Sequence, residues 1–125
     1  MSPLVQIAID WPDAKLNPNR SRGRFWGATH AAKKAAVDAA YLLARAHVGA
    51  LPPSGPLAAV ITLEPPDGRR RDVDNVLAAL KPTLDGLARA VGYDDSRVQD
   101  WHIRWSEPCR PDGRVTIAVH PGGQP

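Results

Sequence analysis

The residues of this chain best suited to chemistry lie in the run Arg69-Arg70-Arg71-Asp72-Val73-Asp74-Asn75, with Asp94-Asp95 following some twenty residues later. In an extended chain, residues two apart project from the same face, so Asp72 and Asp74 at a strand-to-helix junction would aim two carboxylates at one point. Asp95 would join them if the intervening helix closes its crossover. Such a cluster is unfavourable alone, because two unit charges 4 Å apart repel by roughly 4 kcal/mol at an effective dielectric of 20. Converging acids must protonate, separate or bind a cation. All-oxygen ligands suit magnesium, or manganese, better than zinc. A hard divalent ion flanked by arginines suits phosphodiester hydrolysis, since metal and cations together stabilise charge on the phosphate. A plainer reading competes: Asp74 or Asn75 caps a helix, and Asp94-Asp95 are turn residues after Gly92.

The elements that must position these residues are legible in the pattern. Val5 to Ile9 alternates apolar and polar residues as a strand does. The stretch from Asp10 to Gly27 is rich in Pro, Asn, Arg and Gly and reads as a long basic loop. Thr29 is placed to cap a helix whose apolar positions run from Ala36 to Val48, with Gly49 as its stop. Leu57 to Leu63 reads as a buried strand ending at the turn Pro65-Pro66-Asp67-Gly68. Val76, Leu77, Leu80, Leu84, Leu87, Ala88 and Val91 then share a helical face, with a kink expected at Pro82 and a stop at Gly92. Val98 to Trp105 and Arg114 to Val119 read as two further strands. The expected fold is therefore one small α/β (α+β) domain spanning 1–125, ordered β-α-β-α-β-β, with two helices packed on a mixed sheet.

Composition sets bounds on function. At 125 residues there is room for one core, and 43% hydrophobic with 23% charged residues is ordinary for a folded protein. No apolar run approaches the roughly 20 residues of a membrane helix, and the opening MSPLVQIAIDWPD lacks a signal-like pattern, so a cytoplasmic location is expected. The single Cys109 cannot form an internal disulfide. Residues 1–71 hold ten Lys/Arg against five Asp/Glu, a net of +5, whereas residues 72–125 hold six against eight, a net of −2. A basic half beside an acidic cluster suits a polyanion-binding surface around a cation site. Lys15, Arg20, Arg22 and Arg24 of the basic loop are candidates for DNA phosphate contacts, as are Arg69, Arg70 and Arg71. Phe25 and Trp26 would stack on a base or pack beneath the loop. Trp101 and Trp105 are expected in the core or a dimer interface.

RRRDVDN, KPTLDGL and GYDDSRV together resemble the signature of the RusA-like endodeoxyribonucleases, Holliday junction resolvases of phages, prophages and bacteria. The resemblance covers nearly the whole chain, with its specific motifs in the middle third. It implies a homodimer that cuts four-way DNA junctions with three aspartates and magnesium. The family's Asp-x-Asp-Asn aspartates fall on Asp72 and Asp74, and its third metal aspartate falls on Asp95. IDWPDAKLNPN is similar to the family's N-terminal strand and Asn-bearing loop, with Asn19 as the match. One position departs: Ala78 stands where the family often has a functional lysine, and Lys81 lies one turn further along the same helix face. Lys81 is thus a candidate catalytic residue, and Asp85 on that face a partner for Lys81 or Arg89. The expected activity is magnesium-dependent resolution of branched DNA in recombination and repair; other branched DNA as substrate, or DNA binding without catalysis, are the alternatives.

Overall fold

The computed structural model describes residues 3–17, 26–46 and 54–122. Four strands are present: β1 (Val5–Ile9), β2 (Leu57–Glu64), β3 (Val98–Trp105) and β4 (Arg114–Pro121). Two helices accompany them, α1 (Trp26–Arg45) and α2 (Val73–Val91). The class and order follow the apolar periodicities: this is an α+β domain with two helices on a four-stranded mixed sheet.

The strand order is β1-β4-β2-β3. β4 lies antiparallel to both neighbours, with Val5 opposite Val119 and Ile61 opposite Ile117. β2 and β3 are parallel, which requires a crossover between them, and α2 supplies it. β2 alternates strictly between buried and half-buried residues. Leu57, Ala59, Ile61 and Leu63 therefore share one face with Val115, Ile117, Val119, Val5 and Ile7, and Ala40, Ala44, Val76, Leu80 and Leu87 cover it from the helices. That layer is the core. Ala58, Val60 and Thr62 occupy the opposite, more open face.

The helices pack closely. A Cβ at Gly86 would run into the carbonyl oxygen of Val37 and meet Cβ of Ala40 at 3.0 Å, so glycine is what lets α2 approach α1. α2 continues through Pro82, which is buried, and ends at Gly92 in the left-handed region (φ 92°), where its N–H donates to the Ala88 carbonyl at 2.8 Å.

Two expectations need correction. α1 begins at Trp26, so Thr29 lies inside the helix rather than capping it; the Ala-rich run propagates helix further back than the cap residue suggested. The expected stop at Gly49 lies outside the described residues. Trp101 and Trp105 are not core residues: they are 48% and 46% exposed, because β3 is an edge strand only partly covered by α2. Among the described residues, no helix is long and apolar enough to cross a membrane.

Candidate functional site

The turn between β2 and α2 is organised by Asp67. Its Oδ1 accepts from the backbone N–H of Arg69 at 3.0 Å, and the Arg71 guanidinium pairs with the same oxygen at 2.9 Å. Arg71 also donates to the carbonyls of Asp67 and Arg69, and its guanidinium lies 5.4 Å from the centre of the Trp11 ring. The Arg69 amide pulls the Asp67 carboxyl down to about 2; desolvation opposes it, and the side chains of Arg71 and then Arg69 add to the lowering. Of the three consecutive arginines, then, Arg71 is committed to holding the turn, with its side chain only 14% exposed, and Arg69 shares Asp67. Arg70 is exposed and makes no ion pair among the described residues.

What the turn presents is Asp72. Its backbone is extended (φ −88°, ψ 122°) and its Oδ1 accepts from the Asp74 N–H at 3.1 Å, so Asp72 is the cap of α2. The alternative of a cap at Asp74 or Asn75 is thereby corrected by two or three positions towards the N-terminus. Asp74 lies in the first helical turn, exposed beside Asp72. Both carboxylates sit at the positive end of the helix dipole, which offsets part of their mutual repulsion.

A cleft of about 370 Å³ opens next to this pair. Trp11, Asp13 and Asn17 line one side, and Arg70, Asp72 and Asn75 line the other. Trp105 reaches the same end of the sheet, its ring centre 6.3 Å from that of Trp11. Trp11, Asp13, Asn17 and Asp67 were not singled out by sequence reasoning. Within a Pro- and Asn-rich stretch Trp11 reads as loop filler, and Asp67 reads as a turn former. Only the arginine-rich run opposite an aromatic offered a signal, and spacing could not join them.

Asp95 lies elsewhere in the chain's fold. α2 returns from the end of β2 to the start of β3, so its two ends must sit at opposite ends of the sheet. Nineteen helical residues rise roughly 28 Å. Asp95 follows the far end, in a hollow with Asp85, Arg89 and Tyr93. Burial, with the Asp95 charge adding to it, pushes the Tyr93 phenol up to about 12. Asp94 caps the short turn before β3, accepting from the Ser96 N–H at 3.0 Å, and that bond holds its carboxyl below the usual range. Among the described residues no group of three His, Cys, Asp or Glu is placed to hold a metal. One chain thus brings Asp72 and Asp74 together and leaves Asp95 at the other end of α2.

The remaining candidates divide similarly. Lys81 is exposed on the stripe of α2 that carries Asp74, roughly 10 Å further along the axis. Asp85 and Arg89 continue that stripe, and no ion pair among the described residues joins Asp85 to Lys81 or Arg89. Lys15 is exposed, its backbone N–H bonded to Asp13 at 2.9 Å, and it does not line the cleft although Asp13 and Ala14 beside it do. Asn19, Arg20, Arg22, Arg24 and Phe25 lie outside the described residues.

The class defined so far is a small α+β domain with an acidic helix start facing an arginine- and tryptophan-lined cleft. No family model matches the chain. It is 34% identical over 118 residues to an uncharacterized protein of Xylella fastidiosa, across 93% of this chain and 76% of that protein. The chain belongs to the family of that protein.

Proposed function

We propose that the protein is a magnesium-dependent endodeoxyribonuclease of the RusA-like kind, acting in the cytoplasm as a homodimer on four-way or similarly branched DNA. The observation that carries this reading is the pairing of Asp72 and Asp74 at the start of α2 beside an exposed Arg70 and the Trp11 cleft. The donor set fits a hard divalent cation: two carboxylates at one helix end, one oxygen of Asp72 already used on the Asp74 amide. When bound, magnesium or manganese would polarise the phosphoryl oxygen and lower the pKa of a water. Arg70 and Lys15 hold DNA phosphates, and Lys81 offsets negative charge along the α2 stripe. Trp11 and Trp105 offer apolar surface to a distorted strand.

The 28 Å span of α2 gives the dimer a specific role. A two-fold axis beside the middle of α2 would set the start of one helix against the end of the other, and the partner's Asp95 would then be available to each Asp72–Asp74 pair. Two such sites, related by symmetry, match the two cuts that a four-way junction requires. The competing reading is a DNA-binding protein without catalysis, favoured by the capping roles of Asp72 and Asp94. A synthetic four-way junction and a linear duplex of the same sequence, each with and without magnesium, decide between them. Magnesium-dependent paired nicks in the junction are expected; junction binding with no cutting in magnesium or manganese would refute the nuclease reading.

A further inference from the structure

Trp105 is the last residue of β3, and its ring is half exposed where the sheet ends beside the start of α2. The backbone that carries it is pinned on both sides. Leu63 of β2 lies opposite Trp105, and the next residue, Ser106, donates its N–H to the Leu63 carbonyl at 2.8 Å. Cys109 donates to the Pro65 carbonyl at 2.8 Å, which ties the connection between β3 and β4 to the turn before α2. Trp11 is held as well. A Cβ at Gly113 (φ 75°) would meet the Pro66 ring and the Trp11 Cβ at 2.9 Å, so glycine lets this connection close over Trp11. Arg71 lies against the Trp11 ring while its guanidinium is committed to Asp67. The two indoles, inclined by 35° with centres 6.3 Å apart, are therefore set in place before any ligand arrives.

Trp105 borders two hollows. One, of about 590 Å³, it shares with Arg70, Arg71, Asp72 and Val73. The other, of about 440 Å³, has Pro65 and Pro108 beside it and the arginine run along one wall. Arg70 borders both, exposed and without an ion pair among the described residues. We infer that Trp105 is the stacking platform for one unstacked DNA base, whose adjoining phosphate lies at Arg70, next to Asp72 and Asp74. This rests on the DNA-cutting reading above and names the part of the substrate that its site takes. An intact duplex keeps its bases in the stack and offers phosphates to an approaching surface, which leaves an exposed indole without a partner. A base swung out of the helix brings a flat apolar face and a phosphate on the same nucleotide, and here ring and cation border the same hollow. That hollow is within the roughly 300–1,000 Å³ of small-ligand sites. The platform thus selects DNA with an unpaired or easily unpaired base beside the cut, and discriminates against continuous duplex.

The test is binding by the full chain without divalent metal, read by fluorescence anisotropy of short labelled probes. One probe is oligothymidylate, and the other is the same phosphodeoxyribose chain with every base removed. The parent should hold oligothymidylate about tenfold more tightly than the abasic chain. Trp105→Leu should lose that preference and bind the abasic chain as the parent does, whereas Arg70→Met should weaken both probes alike. Melting shows whether Trp105→Leu is folded. Trp105→Phe, which keeps a flat ring, should retain the affinity but lose most of the quenching of tryptophan emission by oligothymidylate. A parent without preference for oligothymidylate up to millimolar protein would overturn the inference. So would a folded Trp105→Leu that keeps the preference, a Trp105→Phe with undiminished quenching, or an Arg70→Met that binds both probes as the parent does. A Trp105-dependent preference in a protein that never cuts a junction would count against the nuclease reading and leave the platform standing. Junction cutting by a protein with no base preference would do the reverse.

Discussion

Asp72 performs two tasks that substitution can separate. As a cap it accepts the Asp74 N–H at 3.1 Å on an exposed helix end; losing such a cap costs about 1 kcal/mol. Its charge adds roughly 0.3–1 kcal/mol through the helix dipole, an effect that relief of repulsion from Asp74 largely cancels when the charge is removed. Asparagine retains the cap and removes the charge, whereas alanine removes both. For a chain of 125 residues, 1 kcal/mol corresponds to about 4 °C in Tm. Without metal, Asp72→Ala should therefore melt about 4 °C lower than the parent, and Asp72→Asn within about 2 °C of it. Magnesium at ten times its dissociation constant should stabilise the parent by about 1.4 kcal/mol, or about 5 °C, and neither variant should gain this. Calorimetry at matched protein concentration reads both effects. If Asp72→Asn melted as low as Asp72→Ala without metal, the capping argument would fail. If it kept the full magnesium shift, Asp72 would not be a ligand.

Two further outcomes follow from packing and burial. Gly86→Ala should destabilise the fold by about 1–3 kcal/mol, seen as a lower denaturant midpoint, because the new methyl meets the Val37 carbonyl; unchanged stability would mean that α1 and α2 are not in this close contact. Tyr93 should ionise near pH 12, and Asp95→Asn should lower that midpoint, read by ultraviolet absorbance in a Tyr41→Phe background. The sign is that of a raised folded-state pKa: the stabilisation from burying the neutral phenol is present below pH 10 and is lost as pH rises through 12.

The strands were legible because Leu57, Ala59, Ile61 and Leu63 of β2 and Val115, Ile117 and Val119 of β4 put apolar residues at every second position, a period that one buried face explains. The start of α2 was legible to within two or three residues, since Asp, Asn and a following apolar run mark a helix N-terminus. What spacing could not supply was distance. Asp95 looks close to Asp74 if a helix is imagined as a return path, but a rigid rod carries the chain away from where it started. Nor could it show that Arg71 folds back onto Trp11 while Arg70 does not, because identical neighbours are separated only by which one meets Asp67. Trp101 and Trp105 were placed between core and interface; their position on the outermost strand resolves that choice towards the surface.

The placement of β4 between β1 and β2 has a consequence for how the chain acquires its shape. Val5 pairs with Val119, almost the whole length of the described chain away, so β1 has no partner until β4 arrives. β2, α2 and β3 can form as a local unit, but β1 stays without its neighbour until β4 inserts between the two halves and completes the core. Such long-range closure raises contact order and slows folding. During synthesis β1 would lack its hydrogen-bonding partner until β4 has emerged, which makes assembly of this domain a late and largely all-or-none event.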